Sequence, residues 1–133
     1  QKYLDMAEKI YNFIFNNPNL PEDLVPYWDF DAPNIPNEPR DVSAAACTAS
    51  ALYELSTYIP GKNYKETADK IMENLASPAY RAEVGTNGNF ILMHSVGSIP
   101  HGAEIDVPLN YADYYFLEGI MRKRDLESNK KLF

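Results

Sequence analysis

Apolar residues recur at three- and four-residue steps through the first sixteen positions: Tyr3, Met6, Ala7, Ile10, Phe13 and Ile14. That is the period of an amphipathic helix, and it predicts a helix over Gln1–Asn16. Asn16, Asn17 and Pro18 end it, because proline cannot continue the hydrogen-bond ladder. From Asn19 to Arg40 the period disappears. Pro21, Pro26, Pro33, Pro36 and Pro39 forbid regular helix there. The large residues Tyr27, Trp28 and Phe30 should pin this long loop to the body of the protein.

Asp41–Ile59 reads as a second helix, capped by Asp41 or Ser43 and stopped by Pro60-Gly61. From Ser43 to Leu52 it holds only small or apolar residues, with no charge until Glu54. A helix with no charged face is normally enclosed by protein. A third helix is expected over Asn63–Ala76, with the stripe Tyr64, Ala68, Ile71, Met72 and Leu75 opposite a charged face of Lys65, Glu66, Asp69, Lys70 and Glu73. An enclosed helix followed by a half-exposed one is an inner/outer helical hairpin.

Ser77–Pro108 is irregular again, with Phe90–Met93 as a short strand or an apolar segment. A last helix is predicted from about Leu109 to Asp125. Ala112, Tyr115, Phe116, Gly119 and Ile120 line one side, Met121 extends it, and Arg122, Lys123 and Arg124 suit the dipole of its last turn. The tail Glu127–Phe133 is expected to fray. The pattern therefore predicts an all-α chain of four helices and two long loops. So few helices cannot surround an uncharged inner helix, so the chain is expected to be a piece of a larger helical body or to associate with another copy. An opening at Gln1, without a methionine or a signal-peptide pattern, adds the expectation that an N-terminal part has been removed.

Composition narrows the function classes. Length is that of one domain of ~100–200 residues. Twelve basic against nineteen acidic residues leave a net charge of −7. That sign does not draw in nucleic acid or anionic lipid, and no apolar run reaches the ~20 residues of a membrane span. Cys47 is the single cysteine. It stands among alanines on the helix expected to be enclosed, where a small inert role is expected of it. There is no Gly-rich phosphate loop, Ser-His-Asp order or Cys-x-x-Cys, so no cofactor is expected.

Three constellations could carry chemistry. Trp28, Asp29, Asp31, Arg40 and Asp41 put an indole, carboxylates and a guanidinium on one loop. Aromatic faces stack on sugars, guanidinium grips carboxylates, and paired carboxylates serve glycoside chemistry. The plainer alternative is that Asp29 and Asp31 cap turns, Arg40 bridges one of them and Asp41 caps its helix. Both histidines lie in the second segment, His94 to Asp106, with Ser98, His101 and Glu104. Such a loop can surround a hydroxyl-rich ligand. The seven-residue step from His94 to His101 matches no metal-ligand spacing, so no metal is expected. Glu104 and Asp106 read as caps for the last helix. The third, Tyr111, Tyr114, Tyr115 and Phe116, reads as core at helical spacing.

Taken in order, Val25–Pro33, Pro39–Ala46, His94–Gly97, Glu104–Leu109 and Tyr111–Glu118 resemble the carboxyl-terminal third of glycoside hydrolase family 88, the unsaturated glucuronyl hydrolases. The resemblance implies a partial (α/α)6 barrel, about its last two helical hairpins, with residues 1–133 as the C-terminal portion of one catalytic domain. It implies a parent enzyme that removes a 4,5-unsaturated uronic acid from lyase-generated oligosaccharides. An aspartic acid protonates the ring double bond, water adds to the adjacent carbon, and the resulting hemiketal opens to release the next sugar. A proton donor of that kind needs burial or a like charge to raise its pKa.

The family's catalytic aspartates precede the region resembled here, so no catalytic residue is carried over and the chain alone is expected to be inactive. What carries over is a wall of the sugar pocket, with Trp28, Asp29, Arg40, His94, Ser98 and His101 as candidate substrate contacts. Relatives that accept sulfated chondroitin fragments carry serines and a lysine in this segment. Here Ser98 is followed by His101 and Ala103, and the missing lysine speaks against sulfate recognition of that kind. The expected partner is an unsaturated uronate oligosaccharide, and the chain by itself is expected to dimerise or assemble further through exposed inner-helix surface. The alternative is a non-catalytic helical module that binds acidic saccharides or a protein partner.

Overall fold

The computed structural model describes residues 1–128. Four helices, α1 (Lys2–Phe15), α2 (Val42–Tyr58), α3 (Tyr64–Leu75) and α4 (Asn110–Glu127), pack around α2. Most of the frayed tail expected from Glu127 onward lies outside the described residues, and Glu127 itself is the last residue of α4.

Helix α2 is central because its residues are small. Val42, Ala45, Ala46, Ala49 and Tyr53 are sealed from solvent. Helices α3 and α4 both lie against it, and the five residues of the α3 stripe are all buried, as the period requires. Gly119 lets α4 approach α3 closely: a β-carbon there would sit 3.1 Å from the Met72 sulfur. Asp69 ties the three helices together. It accepts from Tyr53 of α2 at 2.7 Å, from Lys65 of α3 at 2.7 Å and from Lys123 of α4 at 2.6 Å.

The expected enclosure of α2 is incomplete. Cys47 and Ala51 are exposed, so Cys47 does not occupy the enclosed position expected of it. The reason is that α1 covers only part of α2. It packs through Leu4, Ala7, Tyr11 and Phe15, while Tyr3, Met6, Ile10 and Phe13 of the predicted stripe stay exposed. The same holds for α4. Phe116 and Ala112 are core, but Tyr111, Tyr114, Ile120 and Met121 are exposed, which corrects the reading of the aromatic run as core.

The long loop before α2 is pinned as expected. Tyr27 and Arg40 form an isolated antiparallel bridge, Arg40 stacks over the Tyr27 ring at 4.9 Å, and Phe30 meets Phe13 edge-on at 6.0 Å. In the second loop, Phe90–Met93 is no strand. Leu92 makes only an isolated bridge to Arg81. A two-stranded antiparallel hairpin, unpredicted, follows it: β1 (Ser95–Ser98) pairs with β2 (Ala103–Val107), with an irregularity between Ser95 and Val96. Its strands are too short, and β2 too exposed, to have left a sequence pattern.

Candidate functional site at the N-terminus of helix α2

Both loops converge on the first turn of α2, and Asp41 joins them. Its Oδ1 accepts from the Ser43 backbone N–H at 3.0 Å, from Ser43 Oγ at 2.6 Å and from the Val96 N–H at 3.3 Å. Asp41 is therefore the cap of α2, as read from sequence, and also the tie to the hairpin. The Asp41 N–H donates to Pro26 O at 2.8 Å, and the Val42 N–H donates to His94 O at 3.1 Å. Helix-end donors that would otherwise lack partners are thus used to fasten one segment on each side.

On one side, Tyr27, Trp28, Asp29 and Phe30 line a small cavity of about 180 Å³ with Asp41, Ala44 and Thr48. Trp28 Nε1 donates to Glu38 at 2.8 Å, and that bond holds the Glu38 carboxyl below its ordinary pKa. Asp29 accepts from the Asp31 N–H at 2.8 Å, so it does close a turn. Arg40 does not bridge Asp29 or Asp31. It pairs with Asp23 at 2.8 Å and donates to Val25 O. Asp23 also accepts from Tyr80 at 2.5 Å. Arg40 is thereby turned toward the protein, because its planar fork finds a carboxylate and a carbonyl there.

On the other side, His94 Nδ1 lies 2.6 Å from Asp106 Oδ1, and Ser98 Oγ lies 2.7 Å from His101 Nδ1. The His94 ring meets Tyr80 edge-on at 6.4 Å. Glu104 and Asp106 are not caps of α4. They stand in β2, and Leu109, the residue before α4, gives that helix no side-chain cap. His94, Glu104 and Asp106 all have positive φ, at 65°, 53° and 54°. Positive φ is uncommon outside glycine, and such positions gather at ligand sites. Tyr111, in the first turn of α4, lies near both sides: desolvation, then the Asp41 and Glu104 charges, push its pKa up.

The site is thus a polar rim built from two loops that share one helix cap. The structure brings His94 to Asp106 and Ser98 to His101, keeps Trp28 and Asp29 on the opposite side of Asp41, and withdraws Arg40. The sequence reading missed Asp23, Glu38 and Asp113. Asp113 accepts from the Ile91 and Leu92 N–H groups at 2.8 and 2.9 Å and so anchors the segment leading to His94. No group of three or more His, Cys, Asp or Glu residues suited to a metal occurs among the described residues. Cys47 lies away from the rim, and desolvation followed by the Glu118 charge raises its thiol pKa, which makes it a poor nucleophile.

No protein-family model matches the chain. An unsaturated glucuronyl hydrolase of Formosa agariphila is 50% identical over 125 residues, which is 94% of this chain and 31% of that protein. A solved unsaturated glucuronyl hydrolase specific for heparin superposes with a TM-score of 0.92 at 48% identity, over 96% of this chain and 34% of its own. This chain is homologous to one segment of the unsaturated glucuronyl hydrolases, glycoside hydrolase family 88.

Other glucuronyl hydrolases are similar at lower identity. The enzyme of Bacillus sp. GL1, responsible for the degradation of glycosaminoglycan, matches with a TM-score of 0.80 at 26% identity. The unsaturated chondroitin disaccharide hydrolase of Streptococcus agalactiae is 31% identical over 84% of this chain. The chain spans about a third of the length of these relatives. Its helices match a segment of the helical barrel fold of these relatives.

Proposed function

We propose that this chain is the C-terminal portion of a glycoside hydrolase that removes a 4,5-unsaturated uronic acid from lyase-generated oligosaccharides by hydrating the ring double bond. In this reading the rim around Asp41 forms one wall of the sugar pocket. Trp28 offers an aromatic edge, and Asp29, His94, Ser98 and His101 offer hydrogen bonds to hydroxyls. The observation that carries the reading is the 48% identity at a TM-score of 0.92 to a heparin-specific glucuronyl hydrolase, together with the convergence of both loops on one helix cap. The proton donor and the water-activating groups belong to the rest of the barrel, so the chain by itself binds weakly and turns nothing over. Alone, it covers its exposed apolar surface by forming a dimer or larger species.

The test uses the whole protein that carries this segment, with unsaturated disaccharides derived from heparin and from chondroitin. Loss of the ultraviolet absorbance of the conjugated double bond reports hydration. Turnover is expected, and His94→Ala or His101→Ala should raise KM with less effect on kcat, since these groups hold the sugar without moving the proton. Absence of turnover on both substrates contradicts the proposal.

A further inference from the structure

Asp23 lies in the first loop, and its carboxylate serves three donors. Oδ1 accepts from the Val25 N–H at 3.1 Å, while Oδ2 accepts from Arg40 Nη2 at 2.8 Å and from the Tyr80 hydroxyl at 2.5 Å. The Asp23 carbonyl accepts from the Asn74 side chain of α3 at 2.7 Å, so the helical body also holds the backbone that carries it.

The two side chains that meet on Oδ2 lead to opposite sides of the rim. Arg40 leads to the first loop. Its guanidinium also donates to Val25 O, and its face covers the Tyr27 ring at 4.9 Å. Trp28 follows directly, with its N–H donating to Pro39 O at 3.0 Å. Tyr80 leads to the second loop. Its buried ring meets His94 edge-on at 6.4 Å, inside the ~4.5–7 Å range of ring pairs. Its carbonyl accepts from the Met93 N–H at 2.8 Å. Tyr80 thus supports His94 through both ring and backbone. Burial, then the bond to Asp23, pushes the pKa of the Tyr80 hydroxyl up, which keeps it a donor.

We infer that Asp23 is a positioning residue for the sugar: through Arg40 and Tyr27 it sets where Trp28 stands, and through Tyr80 it sets where His94 stands. This inference rests on the sugar-pocket reading above. Asp23 touches no sugar in this role. Asp41 joins the two loops at the helix cap, whereas Asp23 joins them through the side chains behind the rim. A buried hydroxyl without an acceptor is unfavourable, so loss of the carboxylate displaces the Tyr80 ring instead of leaving it in place. A displacement of ~1 Å in a group that holds substrate can cost up to ~100-fold in rate.

The test uses the whole protein that carries this segment, the ultraviolet assay, and the unsaturated disaccharides from heparin and chondroitin. Asp23→Asn keeps the shape and removes the charge, and Tyr80→Phe removes only the hydroxyl. Asp23→Asn is expected to raise KM about tenfold and Tyr80→Phe about threefold, with kcat changed by less than about twofold, as when binding is lost and the chemical step is left alone. The two effects should be non-additive in the double variant. In a His94→Ala background Tyr80→Phe should no longer raise KM, because the group it acts through is gone. Asp69→Asn is the control for stability. Its partners Tyr53, Lys65 and Lys123 are no part of the rim, so it should lower the melting temperature and leave KM unchanged. The inference is overturned if Asp23→Asn and Tyr80→Phe lower only the melting temperature or kcat, if Tyr80→Phe raises KM equally with and without His94, or if Asp69→Asn raises KM as much as they do. If Asp23→Asn does not fold, Tyr80→Phe with and without His94 decides. No turnover by the unaltered protein overturns the functional reading and this inference with it. Turnover with KM unmoved by the variants overturns the inference alone.

Discussion

Gly97 and Glu104 stand so close across the hairpin that a β-carbon on Gly97 would lie 2.8 Å from the β-carbon of Glu104 and 2.1 Å from its Oε2. The first contact is with the base of a side chain, which cannot swing away, so the strands themselves must shift. Gly97→Ala should therefore destabilise the hairpin by about 1–3 kcal/mol, as overpacking does. Glu104 has a positive φ of 53°, a conformation glycine adopts freely. Adding Glu104→Gly to Gly97→Ala should recover the loss, and urea denaturation of the three variants checks this.

Asp113 holds the segment before the hairpin by accepting from two backbone N–H groups. Leu92 is fully buried, so its donor finds no water if the carboxylate is removed. Asp113→Ala should cost about 2–4 kcal/mol, read from the denaturation midpoint, since charged hydrogen bonds and unsatisfied donors both enter. Replacing Asp31, an exposed residue that accepts no such pair, should change stability far less.

Asp69 sets a pH dependence. Burial raises its pKa, but bonds from Lys123, Lys65 and Tyr53 outweigh burial and hold it below the ordinary carboxylate value. A folded pKa below the unfolded one gives stability that is present above the unfolded value and lost as pH falls through the folded value. Lys123 is raised, first by Asp69 and then by Glu127, so its share is present below the unfolded lysine value and lost as pH rises through the folded one. Asp69→Asn should thus cost about 1–2 kcal/mol near neutral pH, with solvent contact limiting the gain. The gap to the unaltered chain should close as pH falls below ~4. Thermal melts across pH check both.

The exposed apolar residues on α1, α2 and α4 predict self-association of the isolated chain. Light scattering at rising concentration should show a dimer or larger species, and Ala51→Arg should shift it toward monomer. A monomer at every concentration contradicts this.

The helices were legible because burial follows period: every residue of the Tyr64–Leu75 stripe is buried, and Asp41 announced itself as a cap. The residues that failed have core spacing on a face that the described residues leave exposed. Tyr111, Tyr114 and Met121 have the spacing of core positions, but nothing among the described residues covers them. The hairpin was hidden for a different reason. Its strands are four and five residues long, and its shape rests on positive φ at Glu104 and Asp106 and on the contact between His94 and Asp106, none of which leaves a periodic trace. Arg40 lay in a loop where several carboxylates were equally near in sequence, and only folding could bring Asp23 to it.

The central claim is that this chain supplies a pocket wall while the acid that protonates the double bond lies elsewhere in the barrel. The most direct measurement follows the ultraviolet absorbance of an unsaturated heparin disaccharide with the 133-residue chain alone and with the whole protein that carries it. Loss of absorbance with the whole protein and none with the chain alone is the predicted result. Turnover by the isolated chain would contradict the account.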